Sequence, residues 1–99
     1  MAQAPVRIKW NTDESGGPLP YGKRYAGVSR WPEDVAEWKH GGWTVVIEFE
    51  QPPTDQGNPS NGIAHFLREE APHDRLGKPG AFELFQLKKR VAEVEVIGK

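Results

Sequence analysis

The chain contains no cysteine, which excludes disulfides, thiolate metal ligands and a cysteine nucleophile. It also lacks an excess of either charge: the formal net charge is −1 at pH 7, with both signs spread along the chain. General affinity for nucleic acid or an anionic membrane requires a basic excess or a basic stripe. Long hydrophobic runs are missing as well. Residues 1–10 hold no apolar signal core, and no run approaches the length of a membrane span. The expectation is a soluble, cytoplasmic protein without membrane contact, whose fold stands on packing alone.

What is present is turn chemistry and short alternating runs. Ninety-nine residues with eleven glycines and nine prolines suit one domain over 1–99, built of short strands joined by turns. Its ordered part is expected over about 6–97. Val6, Ile8 and Trp10 alternate with Arg7 and Lys9, a first strand with an apolar even face. Residues 11–20 carry two glycines and then a proline, and form a loop. Tyr21, Tyr25, Ala26 and Val28, broken by Gly22 and Gly27, make a less regular second strand with a bulge placed at Gly27.

Residues 43–50 are the clearest strand. Val45, Ile47 and Phe49 share one face; Thr44, Glu48 and Glu50 share the other, with Val46 as the exception. Residues 51–62 accumulate Pro52, Pro53, Gly57, Pro59 and Gly62, the composition of a mobile loop. Residues 63–68 form a strand apolar on both faces, and 69–80 connect it to a closing hairpin. In that hairpin Phe82 and Leu84 oppose Phe85 and Leu87, as in a strand covered on both sides. After a connection at Lys88 and Lys89, Ala92, Val94 and Val96 alternate with Glu93 and Glu95. About six strands result, and closing them into a small antiparallel barrel removes exposed edges.

Residues 29–42 admit two readings. Trp31, Val35 and Trp38 fall at i, i+4 and i+7, with Pro32, Glu33 and Asp34 at the start and Gly41-Gly42 at the end, as in a short helix around 32–40. The other reading is a loop whose tryptophans plug the end of a barrel.

No convincing catalytic constellation is present. Glu48 with Glu50, and Glu93 with Glu95, stand at i, i+2 on one strand face, roughly 7 Å apart. Each pair lies opposite an apolar face, where a half-buried strand keeps solvated charges. His40, His65 and His73 have no metal-ligand spacing. His73-Asp74 would need a nucleophile such as Ser60, without a nucleophile-elbow motif to support it. The candidate sites are therefore surfaces. Trp31, Trp38 and Trp43 are candidate anchors for a protein partner, as is the loop 51–62. Lys23, Arg24, Lys88, Lys89 and Arg90 are a candidate RNA-binding patch, with Tyr21 or Tyr25 to stack on bases.

Several stretches look like one known family. Val6-Arg7-Ile8-Lys9-Trp10, then Thr12-Asp13-Glu14-Ser15-Gly16-Gly17 and Pro20-Tyr21, resemble the opening of the C-terminal (third) β-barrel of elongation factor Tu. Gly80-Ala81-Phe82-Glu83-Leu84-Phe85 and Lys89-Arg90-Val91-Ala92-Glu93-Val94-Glu95-Val96 are similar to its last hairpin. Ala64-His65-Phe66-Leu67 with Ala71-Pro72-His73 resembles small free-standing bacterial proteins related to it. The resemblance implies a six-stranded antiparallel Greek-key barrel. In the translation factor that barrel helps hold the T-stem of tRNA and a nucleotide-exchange partner. The present chain differs at the contact turns: Gly17 runs into Pro18-Leu19, and Gln86-Leu87 stand where the family has a glycine turn. The Gly-rich phosphate loop ending in Lys-Ser/Thr is absent. The expectation is a non-enzymatic module that docks a macromolecular partner, protein ahead of RNA, with no cofactor, metal or nucleotide.

Overall fold

A computed structural model describes residues 3–11, 19, 22–31, 43–77, 80–86 and 89–97. Six strands form a closed barrel: β1 (Ala4–Trp10), β2 (Arg24–Arg30), β3 (Trp43–Glu48), β4 (Ser60–Phe66), β5 (Gly80–Gln86) and β6 (Lys89–Val96). Their order around the barrel is β1-β4-β3-β2-β5-β6, with every neighbouring pair antiparallel. The run β2-β3-β4 has β1 returning beside β4 and β5 returning beside β2. Each return is a Greek key, so the expected architecture is the one found.

Alternation in the sequence becomes inside and outside in the structure. Val6, Ile8 and Trp10 on β1, Val45 and Ile47 on β3, and Ala92, Val94 and Val96 on β6 are buried in one core with Phe66, Phe82 and Leu84. Fully burying each aliphatic side chain contributes about 1.5–3 kcal/mol. Arg7, Lys9, Glu93 and Glu95 occupy the outer face of β1 and β6. A six-stranded interior is narrow, so the large side chains of β1 and β3 need small neighbours. Strand β4 supplies them, with Ser60, Gly62 and Ala64 ahead of Phe66.

The register corrects several sequence expectations. Residues 60–62, read as loop, are strand, with Ser60 opposite Ile8 and Gly62 opposite Val6. Residues 29 and 30 likewise extend β2, opposite Leu84 and Glu83. Lys89, read as part of the connection, pairs with Gln86, and the register shift lies between Leu84 and Phe85. The bulge expected at Gly27 is not found there: β2 keeps an unbroken register with β3 and β5, and the extra residue, Val91, lies on β6, two strands away. Alternation keeps Leu84 in the core and sets Phe85 on the outer side, where Phe85 is buried under the Arg30 guanidinium, 5.2 Å from the ring centre. Gly27 serves close approach instead: a Cβ there would sit 2.9 Å from both Leu84 Cδ1 and the Phe85 carbonyl oxygen.

The loop 51–62 is pinned rather than loose. Pro52 and Pro53 start a single helical turn, α1 (Pro53–Gln56), because their fixed φ suits a first turn. Gly57, at φ +94°, ends it. The Gln56 side chain accepts from the Asn61 N–H at 2.8 Å and donates to the carbonyls of Gln51 and Asn61 at 2.7 and 2.9 Å. Asn58 acts as a substitute strand: its amide accepts from the Trp10 N–H at 2.8 Å and donates to the Trp10 carbonyl at 2.9 Å. A 3-10 turn over His73–Gly77 precedes β5 and inserts Leu76 into the core. The short helix expected around 32–40 lies outside the described residues.

Gly62 gives a direct test of the packing. A Cβ there would lie 2.8 Å from Ile47 Cγ2 and 2.9 Å from the Glu48 carbonyl oxygen. Backbone cannot yield cheaply, and overpacking costs about 1–3 kcal/mol. Gly62→Ala is expected to lower the urea midpoint by that amount of stability, with the m-value unchanged.

Candidate functional site

The structure removes one candidate anchor from the surface. Trp31 is 4 % exposed and belongs to the core. Its ring stacks on Phe82 with centroids 4.4 Å apart and lies tilted against Phe66 at 6.1 Å. It follows directly on the inward residues Gly27 and Ser29 of β2, so the two-residue period carries it inside. It plugs one end of the barrel, as the loop reading of 29–42 allowed. Trp43 is half-buried and packs against the same core. Trp38 lies outside the described residues.

The opposite end is closed by Trp10, with Tyr25 edge-on at 5.1 Å and Phe49 at 6.5 Å. Both plugging indoles must place their N–H in a dry interior, and both do so in the same way. Trp10 Nε1 donates to Ser60 Oγ at 3.0 Å, and Ser60 donates on to the Gly57 carbonyl at 2.7 Å. Trp31 Nε1 donates to Ser29 Oγ at 2.9 Å, and Ser29 donates on to the Trp43 carbonyl at 2.7 Å. Ser29 and Ser60 are the buried polar side chains among the described residues.

This arrangement also disposes of Ser60 as a nucleophile. Its hydroxyl is fully engaged at the Trp10 end, while His73 lies at the Trp31 end. The His73 ring meets Phe66 edge-on at 5.7 Å, and its Nε2 lies 2.8 Å from the Glu69 carbonyl oxygen. Nε2 therefore carries the proton, since a carbonyl only accepts. The carboxylate pairs stay on the wet outer wall. Glu95 is 3.5 Å from Arg7, and Glu93 stands opposite Lys9. Among the described residues no group of three or more His, Asp or Glu is arranged to hold a metal ion. Among them, too, no helix is long and apolar enough to cross a membrane.

The basic candidates gather at the Trp10 end. Arg24 starts β2, Lys89 starts β6, and Gln86, which pairs with Lys89, donates to the Ala26 carbonyl. Lys23 precedes them, its carbonyl accepting from the Phe49 N–H at 2.8 Å. Lys23, Arg24, Lys89 and Arg90 are exposed. Arg90 differs from the others in lying 3.5 Å from Glu83, a carboxylate that Arg30 also grips. Lys88 and Tyr21 lie outside the described residues. Tyr25 is half-buried, with its ring packed against the core and edge-on to Trp10, which limits the face left for stacking.

Sequence reasoning missed a different surface. Strand β4 points Asn61, Ile63 and His65 outward, and Ile63 is 42 % exposed. Pro5 stands opposite Ile63 across the β1–β4 ladder, and the Ile97 N–H donates to the Pro5 carbonyl at 3.0 Å. Ile97 is itself 45 % exposed. Two large aliphatic side chains therefore flank Pro5 on a wet outer wall. The signal was the strict alternation of Ile63 with the small inward residues Gly62 and Ala64, which fixes it outside.

In comparisons with protein families, with curated proteins and with solved structures, nothing matches the chain.

Removing a serine hydroxyl takes the partner from a buried indole N–H, at about 1–3 kcal/mol for such a group. Ser29→Ala is expected to lose stability on that scale in urea unfolding, and Ser29→Thr to lose less. Burial raises the Tyr25 pKa above its ordinary 10.0, and the Gln86 hydrogen bond only partly offsets this. A raised folded-state value stabilises fully below the unfolded value and is lost as pH climbs through the folded one. In a Tyr21→Phe background, phenolate absorbance is expected to titrate above free tyrosine, and stability to fall as pH rises beyond about 10.

Proposed function

We propose that the chain is a non-enzymatic binding module, a cytoplasmic barrel that docks a protein partner through its outer wall beside the loop 51–62. The observation that carries this reading is the exposure of Ile63 and Ile97 around Pro5 on a rigid wall. Exposed aliphatics grouped on a structured surface mark an interaction site more often than singly scattered ones do. Closure supports the mode of docking. A barrel whose six strands are all paired offers no edge for strand addition. A partner must then be recognised by side chains on the wall and by the loops. With Trp31 in the core, the anchors move from the tryptophan segment to the aliphatic wall.

The resemblance to the third barrel of elongation factor Tu belongs to this proposal, as an account of its origin as a docking domain. A second reading has its own support. The Gln86–Ala26 contact brings Lys23 and Arg24 to the same barrel end as Lys89, a cluster that would suit an RNA phosphate backbone. Against it stands the Arg30–Glu83–Arg90 network, which ties up part of the positive charge.

One experiment separates the two. Immobilised protein is incubated with extract of its own cells, with and without ribonuclease. A stoichiometric protein that survives nuclease and is lost from an Ile63→Ser/Ile97→Ser double variant is expected. Retention only of RNA, lost in Lys89→Glu and falling steeply with salt, would transfer the function to the basic end. Capture of neither would sink both readings.

A further inference from the structure

The partner's chemistry follows from what surrounds the exposed aliphatics, an inference that rests on the docking reading above. Pro5, Ile63 and Ile97 form the floor of an open groove of ≈ 800 Å³ across the outer faces of β1, β4 and the end of β3. That volume is within the range of about 300–1,000 Å³ typical of ligand sites. Its charged lining is of one sign: Glu48 at the end of β3 and Glu50 just beyond it, both exposed. Among the described residues no cation lines it. Arg24 stands opposite Glu48, and Lys23 beside Phe49, both on the β2 side of β3, away from the groove. Arg7 pairs with Glu95 on the opposite flank of β1. Along the remaining wall, Gln56 is held by its bonds to Gln51 and Asn61 and adds no charge.

We propose that this groove binds a cationic peptide segment of a partner protein, with aliphatic side chains seated between Ile63 and Ile97 and Lys or Arg groups against Glu48 and Glu50. Charge complementarity selects the occupant. An apolar floor alone would accept a second copy of the chain or any greasy segment, whereas Glu48 and Glu50, the charged groups among its described lining, repel anionic segments and raise the encounter rate of cationic ones. The pinned loop keeps the wall in place before binding, so little ordering cost opposes the contact.

The test uses a random twelve-residue peptide library displayed on phage and panned against the whole protein. Selected sequences are expected to combine Lys or Arg with Leu, Ile or Val. One synthetic peptide from the selection is then titrated by fluorescence anisotropy and by amide-shift mapping. Glu48→Gln/Glu50→Gln and Ile63→Ser are each expected to weaken it roughly tenfold, on the order of a single anchor residue. Shifts should centre on residues 48, 50, 61–63 and 97. All three side chains are exposed, so thermal melts should match wild type; Ile97→Ser provides a second variant should Ile63→Ser not fold. Selection of neutral or acidic peptides, or of none, would overturn the proposal. So would equal binding by the glutamine variant, or an Ile63-dependent dimer in sedimentation. If nuclease-resistant capture from extract is lost in Ile63→Ser/Ile97→Ser but persists in Glu48→Gln/Glu50→Gln, the docking reading stands and the cationic occupant falls.

Discussion

An indole N–H cannot be left unpaired in a dry core, and this chain closes both ends of its barrel with tryptophan. Each end meets the requirement by placing a buried serine where the indole points, and each serine passes the bond on to a backbone carbonyl. An unsatisfied buried donor costs more than a made hydrogen bond contributes, so these two relays restrict where the plugs can sit. At one end Ser60 locks β4 to Trp10 and to the turn after α1. At the other Ser29 locks β2 to Trp31 and to the first residue of β3. The aliphatic wall between them is apolar throughout, and it has no such directional requirement.

The relays also shape the surface. Because Ser60 must reach Trp10, β4 begins three residues earlier than its apolar pattern suggests, and residues 60–62 are drawn into the ladder. The loop before it is then too short to wander. Asn58 caps the free groups of Trp10, and Gln56 bridges Gln51 and Asn61. The same inward pull on Ser60, Gly62 and Ala64 forces Ile63 outward by the two-residue period. Exposure of that isoleucine follows from packing requirements inside the barrel, and its grouping with Pro5 and Ile97 follows from the register of β1 against β4.

The sequence showed most of the barrel where one period dominated. β1 and β6 pair apolar with charged residues in alternation, β3 does so apart from Val46, and all three are found with the expected inward faces. Legibility failed where long-range pairing overrode local composition. Prolines and glycines over 51–62 read as a loose segment, because side-chain amides bridging residues five apart leave no periodic trace. Trp31 read equally as a helix face or a plug, since its partners Phe66 and Phe82 are distant in sequence. Gly27 suggested a bulge, but a missing Cβ also admits a close neighbour, and here Leu84 and the Phe85 carbonyl fill that space. The candidate surface was the least visible of all. An isoleucine between Gly62 and Ala64 looks like core until the ladder shows which side faces water.

Net charge conceals as much as it reveals in this molecule. A total of −1 argues against indiscriminate binding to polyanions, yet the two signs do not mix evenly around the wall. Lys89 stands where β5 and β6 meet, while Glu48 and Glu50 line the groove where β3 approaches β4. Arg24 stands directly opposite Glu48 across the β2–β3 ladder, so the two flanks meet at this pair. That spacing is inside the Debye length of about 8 Å at physiological ionic strength, so Arg24 moderates the field of Glu48 on the β2 side. Closure leaves side-chain charge and shape as the means of selection, since a sealed sheet offers no backbone edge. A cationic segment would therefore seat on the β4 side of this pair, and a phosphate backbone on the β6 side.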